Sequence, residues 1–320
     1  MSFIHKIILE YRIQYIIDTI SPVFLVIILG AVLQLSGFFK EGFAASLNKL
    51  VYWIALPILL FYNIAVAKYG YGEAMGVVYV VIAVMLAAIL LSLLFSALFR
   101  LSGENTGAFV QGSYRGNLVF IGLPLIIYSA GSAAGKFEEI SILAISLIIP
   151  IYNIAAIIIL LASRHSFDKR MPLRVLKELF TNPLVISSVI GILYMHFCNR
   201  MPLFVERSCQ TVGRIALPLS LLCIGASLAG TRNTADYSLS IVSAVIKVAF
   251  CPFVAFLAAR WLGLTPEQTR VAIIFSACPT AVSSYVMASQ LGANARLSAA
   301  IIMASSILSV AAFIAILIVI

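Results

Sequence analysis

Two short segments of this 320-residue chain gather the residues best suited to contact a ligand. The first reads Gly112-Ser113-Tyr114-Arg115-Gly116-Asn117-Leu118-Val119-Phe120-Ile121-Gly122-Leu123-Pro124. The second reads Ser276-Ala277-Cys278-Pro279-Thr280-Ala281-Val282-Ser283-Ser284-Tyr285. Each ends or centres on a proline. Proline removes a backbone donor and clashes with the carbonyl four residues back. Gly122, next to Pro124, lowers the cost of opening the chain there. Backbone groups freed by such a break cannot stay bare in hydrocarbon, so they must face protein, water or a ligand. A half-helix that starts at a break points its positive end at that place. Two breaks aimed at one point would suit an anion.

The ionisable residues agree with this polarity. All twelve acids lie in loops or near the ends of apolar stretches, whereas Arg115, Arg214 and Lys247 lie within or near such stretches. An ionisable group inside a membrane is by default a functional hypothesis. A purely basic set favours an anionic substrate and speaks against an Asp/Glu relay for Na⁺ or H⁺. Each long basic side chain could instead snorkel to the interface. Among neutral polar residues, Asn117 and Asn153 (in Pro150-Ile151-Tyr152-Asn153) are the strongest ligand candidates, ahead of Asn63 and Gln290. Hydrogen bonding between helices is the commoner use of such side chains.

The surroundings must be a bilayer. The chain is 62% hydrophobic and 10% charged, far below the roughly one quarter charged of a soluble domain. The net charge of +9 reflects basic residues flanking apolar spans rather than nucleic-acid binding. Cys198, Cys209, Cys223, Cys251 and Cys278 are scattered without a CxxC, and His5, His165 and His196 lie far apart. These patterns offer no metal site, cofactor, disulfide framework or catalytic triad, so an enzyme is not expected.

Ten stretches reach the ~20 apolar residues of a span: roughly 21–39, 48–67, 74–99, 106–130, 139–162, 183–199, 207–229, 237–261, 268–290 and 297–320. The fourth and ninth are the least hydrophobic, as broken helices lining a site would be. Residues 1–20 form an amphipathic segment rather than a signal peptide. Five basic residues cluster in loop 163–182, which places that loop in the cytoplasm and both termini outside. Ile54-Ala55-Leu56-Pro57 recurs as Ile215-Ala216-Leu217-Pro218, 161 residues on, and Pro22/Pro183 and Gly30/Gly191 share that offset. Pro124 and Pro279 differ by 155, which a short length change would explain. The repeat unit is therefore five spans (21–162 and 183–320). An odd number inverts the second copy, as in many secondary transporters.

Asn117 to Pro124 resembles the first crossover of the auxin efflux carrier family, and Pro279 to Ser283 resembles its second. Leu56-Pro57 and Tyr152-Asn153 fit the same pattern, and the likeness spans nearly the whole chain. The resemblance implies an all-α polytopic membrane protein of ten helices in two inverted five-helix repeats, with helices four and nine broken and crossing. Spans one, two, six and seven would form a scaffold and a homodimer interface. Spans three to five and eight to ten would form a transport domain. Arg115, Asn117, Gly122, Pro124, Asn153, Pro279, Thr280 and Ser283 would bind the substrate. Family members include plant auxin carriers and bacterial malate or malonate carriers, and the bile acid:sodium symporters share the fold distantly. The short loop 163–182 departs from the long central loop of the plant carriers and puts auxin itself in doubt. The expectation is a carrier of small organic carboxylates in the plasma (inner) membrane, contacting substrate and lipid and needing no cofactor. A cation-coupled symporter and a transporter-fold sensor are the alternatives.

Overall fold

The computed structural model describes residues 14, 21–22, 24–40, 42–66, 71–130, 134–163, 173, 176–177, 180–181, 183–198, 200–230 and 237–319. Segment 1–20, apart from residue 14, and most of loop 163–182 thus lie outside the described residues. Apart from one isolated bridge, the described elements are helices.

Among the described residues, five helices are long and apolar enough to cross a membrane. They are α2 (Phe43–Ala65), α3 (Tyr71–Leu98), α6 (Ala134–Ala162), α10 (Tyr237–Trp261) and α13 (Ala295–Val319). Shorter helices precede them or lie between them. These are α1 (Phe24–Leu35), α4 (Gly103–Tyr114), α5 (Leu118–Ala130), α7 (Pro183–Phe197), α8 (Leu203–Arg214), α9 (Ala216–Gly230), α11 (Pro266–Ala277) and α12 (Ser283–Gln290). At 1.5 Å per residue, the 12 residues of α4 or α11 reach only ~18 Å, short of a ~30 Å hydrocarbon core. Each is the first half of an interrupted helix. The expected seventh span is also interrupted, at Ile215, between α8 and α9.

Proline explains much of this geometry, though not by simple breakage. Pro57, Pro124 and Pro252 each follow a π-turn by two residues: Val51–Ala55, Leu118–Gly122 and Ile246–Phe250. In each, the N–H just ahead of the proline reaches five residues back: Leu56 to Val51, Leu123 to Leu118, and Cys251 to Ile246. The extra residue of the π-turn shifts the carbonyl that the proline ring would strike, and the helix continues. The expectation that Pro124 breaks its helix is therefore corrected. The interruption lies at Arg115–Asn117, ahead of α5, and Pro124 is buried inside α5. The two copies of the Ile-Ala-Leu-Pro motif also diverge: Pro57 sits in a continuous α2, and Pro218 follows the gap at Ile215.

The helices pack in two sets. In one, α2 packs on α7 and α8, and α9 packs on the start of α2. In the other, α3 contacts α4, α6, α10 and α11, and α13 packs on α10 and α4. The sets meet where α6 touches α2 and α7, and where α9 touches the start of α5. Much of the exterior is apolar: Leu25, Val32, Leu90, Leu94, Leu98, Phe253 and Ile307 are among many exposed large side chains. In water such surface would be an aggregation hazard; in lipid it is the required solvent-facing surface.

Candidate substrate site

The two interrupted helices meet at their gaps. After α4, Arg115 turns extended (φ −80°, ψ 95°), and after α11, Cys278 does likewise (φ −55°, ψ 138°). Gly116 and Thr280 form an antiparallel bridge. Asn117 N–H donates to the Pro279 carbonyl at 2.8 Å, and Ala281 N–H donates to the Arg115 carbonyl at 2.9 Å. These bonds place Asn117 opposite Pro279 and Arg115 opposite Ala281. The expected pairing of Pro124 with Pro279 is thus corrected: Pro279 lies in the crossing segment, and Pro124 lies beyond it in α5. Gly116 permits the close crossing, because a Cβ there would stand 3.2 Å from the Phe275 carbonyl and from Lys247 Cε.

Both first half-helices end at the crossing, so their last carbonyls need donors. Those donors come from neighbouring elements. Thr280 Oγ1 donates to the Gly112 carbonyl at 2.7 Å. From α10, Cys251 Sγ donates to the Ser113 carbonyl at 3.5 Å, and Ser243 Oγ adds a 3.2 Å bond to the Phe109 carbonyl one turn earlier in α4. Ser243 and Ser113 also share a 2.9 Å hydroxyl contact. On α11, Cys278 Sγ donates to the Ile274 carbonyl at 3.2 Å. The cysteines that composition assigns to packing are therefore also weak donors here. Thr280→Val would leave the buried Gly112 carbonyl short of a donor. It is expected to cost about 1–3 kcal/mol of stability, read as a lower melting temperature in detergent. An unchanged Tm would mean the carbonyl needs no such cap.

The second half-helices begin at the same place. The first turn of α5 (Leu118, Val119, Phe120) and the entry to α12 (Ala281, Val282, Ser283) line one cavity of about 100 Å³. Asn117 caps α5, its Oδ1 accepting from Phe120 N–H at 3.3 Å. Val282 caps α12 with no side-chain hydrogen bond. The opposite wall is α2, through Asn48, Tyr52 and Leu56, and α6, through Ile149, Tyr152 and Asn153. Two positive helix ends thus converge on one space.

Arg115 dominates the electrostatics. It lines the cavity and is 7% exposed. Its Nη2 donates to Asn153 Oδ1 at 2.6 Å and its Nη1 to Met287 Sδ at 2.9 Å. Both partners are neutral. The one ion pair among the described residues joins Lys136 to Glu267, so Arg115 has no carboxylate partner among them. Tyr114 fixes the guanidinium relative to Asn153: its hydroxyl donates to the Tyr152 carbonyl at 3.3 Å, and the two rings pack edge to face at 5.6 Å. Asn117 is 6% exposed, and its Nδ2 has no hydrogen-bond partner. A buried amide donor left unpaired at a cavity wall is costly unless something else accepts from it.

Of the residues singled out in the sequence, Arg115, Asn117, Asn153 and Ser283 line the cavity. Pro279 and Thr280 build the crossing behind it. Gly122 and Pro124 do not line it. A Cβ on Gly122 would meet Cys278 Sγ at 2.8 Å and Phe275 Cδ1 at 2.9 Å, so Gly122 serves the packing of α5 on α11. Asn63 and Arg214 lie away from the cavity lining, and Arg214 is exposed, as snorkelling would have it. Lys247 is wholly buried, so the snorkelling reading fails for it. Sequence reasoning missed Asn48, Tyr52 and Met287. The first two, with Leu56, recur at four-residue spacing, the signature of one helix face. Nothing in the sequence says that this face meets a cavity.

Among the described residues there is no cluster of three or more potential metal ligands. The family described as membrane transport protein matches residues 15–318. The chain is also similar to an uncharacterized transporter of Methanocaldococcus jannaschii, 24% identical over 277 residues, which covers 84% of this chain and 87% of that protein.

Proposed function

We propose, since the chain belongs to the membrane transport protein family of auxin efflux carrier-like proteins, that it is a secondary carrier of small organic carboxylates. The substrate binds at the crossing and reaches each side by alternating access. The observation that carries this reading is Arg115: a buried guanidinium with neutral partners only, in a cavity where two helix N-termini meet. Such a cation is costly without a counter-charge. A carboxylate supplies one, and it suits the planar fork of arginine. The unpaired Asn117 Nδ2 offers a further donor. A volume of about 100 Å³ holds roughly seven to ten water-sized groups, the size of a carboxylate of a few carbons with one or two more polar groups.

The inverted ten-pass architecture of the family is supported by the symmetric bond pair at the crossing and by the 161-residue offset. The set containing α2, α7, α8 and α9 would be the scaffold, to which α1 adds, and the set containing α3–α6 and α10–α13 would move against it. The family resemblance also favours a homodimer in the plasma (inner) membrane. The test is a panel of labelled and unlabelled carboxylates against the purified protein, by thermal shift and by proteoliposome flux. A ligand at 100 times its Kd adds about 2.7 kcal/mol of stability. The expected result is stabilisation and saturable flux for carboxylates of a few carbons and none for their neutral amides. Equal responses to acid and amide would overturn the reading.

A further inference from the structure

The crossing holds a second buried cation that the substrate cavity does not use. Lys247 is 0% exposed and sits in the π-turn of α10. Its ammonium donates to the carbonyl of Ser276 in the last turn of α11. Its Cε lies 3.2 Å from where a Cβ on Gly116 would stand, so its stem runs under the extended crossing segment. Ser243 and Cys251, four residues to either side, donate to the Phe109 and Ser113 carbonyls in the second half of α4. One face of α10 therefore closes the carbonyl ends of both half-helices, with a charge at its centre.

Carbonyls at a helix C-terminus carry the negative end of the dipole. In carriers with broken helices, such carbonyls coordinate alkali cations. Here that negative field already has a cation, covalently tied to α10. The one ion pair among the described residues lies elsewhere, so among them Lys247 is held by the Ser276 carbonyl rather than by a carboxylate. The buried hydroxyl of Ser276, which has no hydrogen-bond partner, is a further oxygen on the residue that holds the ammonium. We propose that Lys247 is a built-in cation: it stands where a bound alkali-metal ion would otherwise neutralise the crossing, so substrate passage draws on no Na⁺ at this position. This deepens the carrier reading and rests on it for the flux measurements alone.

The test compares the full-length wild type with Lys247→Ala, which empties the space, and Lys247→Met, which fills it with a neutral chain. Wild-type flux and wild-type Tm should be the same in Na⁺ and in choline. Both variants should lose most of their carboxylate flux. Na⁺, K⁺ or methylammonium should raise the Tm of Lys247→Ala but not of Lys247→Met, and methylammonium should restore part of the Lys247→Ala flux. The inference is overturned if Lys247→Met transports like wild type, or if no cation restores stability to Lys247→Ala. It is equally overturned if wild type needs Na⁺ for flux or is stabilised by it. The wild-type comparison does not depend on either variant folding. The thermal measurements need no substrate, so a protein that carries no carboxylate would sink the proposed function while still deciding the role of Lys247.

Discussion

Arg115→Met is expected to weaken carboxylate binding by about 30-fold to 4,000-fold, the equivalent of roughly 2–5 kcal/mol for removing one partner of a buried charge pair. The same change should leave the substrate-free protein as stable as before or more so. The guanidinium is buried with only an amide oxygen and a thioether for partners, and replacing an uncompensated buried charge with an apolar chain removes a desolvation cost. A merely structural arginine would behave in the opposite way, with stability falling and binding following it. Arg115→Lys should retain part of the affinity, because an ammonium supplies the charge without the fork. Asn153→Asp makes the sharpest version of the test. Asn153 Oδ1 already lies 2.6 Å from Nη2, so an acid there would neutralise the arginine from within and exclude the substrate carboxylate. That variant should melt higher than wild type and bind no carboxylate by calorimetry. If Asn153→Asp binds as wild type does, Arg115 is not the anion partner.

The polarity of the site was legible from residue types, because acids are so scarce in the apolar stretches that one buried arginine decides the sign. The existence of two breaks was legible too, from glycine, proline and small polar residues clustering in stretches four and nine. The position of the first break was not. Proline says that the hydrogen-bond ladder must change locally, and a π-turn is one way to change it without ending the helix, as at Pro57, Pro124 and Pro252. The crossing formed instead at Gly116, where the absence of a Cβ lets a second backbone approach. That choice depends on α11 and α10, far away in sequence. For the same reason, Lys247 could be flagged as a basic residue in a span but not placed on the Ser276 carbonyl. The α2 face of Asn48 and Tyr52 has a regular spacing that becomes meaningful only when α5, α6 and α12 enclose the opposite side.

Gly225→Ala and Gly30→Ala are expected to be among the most damaging single-methyl additions in the chain. A Cβ at Gly225 would overlap the Ile27 carbonyl oxygen, and one at Gly30 would overlap that of Leu222. Both obstacles are backbone, so no rotamer change relieves them; α1 and α9 would have to separate. Overpacking typically costs about 1–3 kcal/mol, and these two should reach or exceed the top of that range. Loss of monodisperse protein or a steep fall in Tm would report it. Small residues permit such close helix crossings in membranes, where packing rather than water exclusion holds helices together. Gly191 offers the internal control. It stands 161 residues after Gly30 and faces the Phe61 carbonyl, itself 161 residues before Leu222. This is what two copies of one crossing would produce, α1 on α9 and α7 on α2. Yet a Cβ at Gly191 would stand 3.1 Å from that carbonyl and 3.0 Å from Ile64 Cβ, a contact a small shift can absorb. Gly191→Ala should therefore be clearly milder than Gly30→Ala. Equal damage from both would mean that the two crossings are equally tight in solution, and that the difference in packing between them is not part of how α1, α2, α7 and α9 are held together.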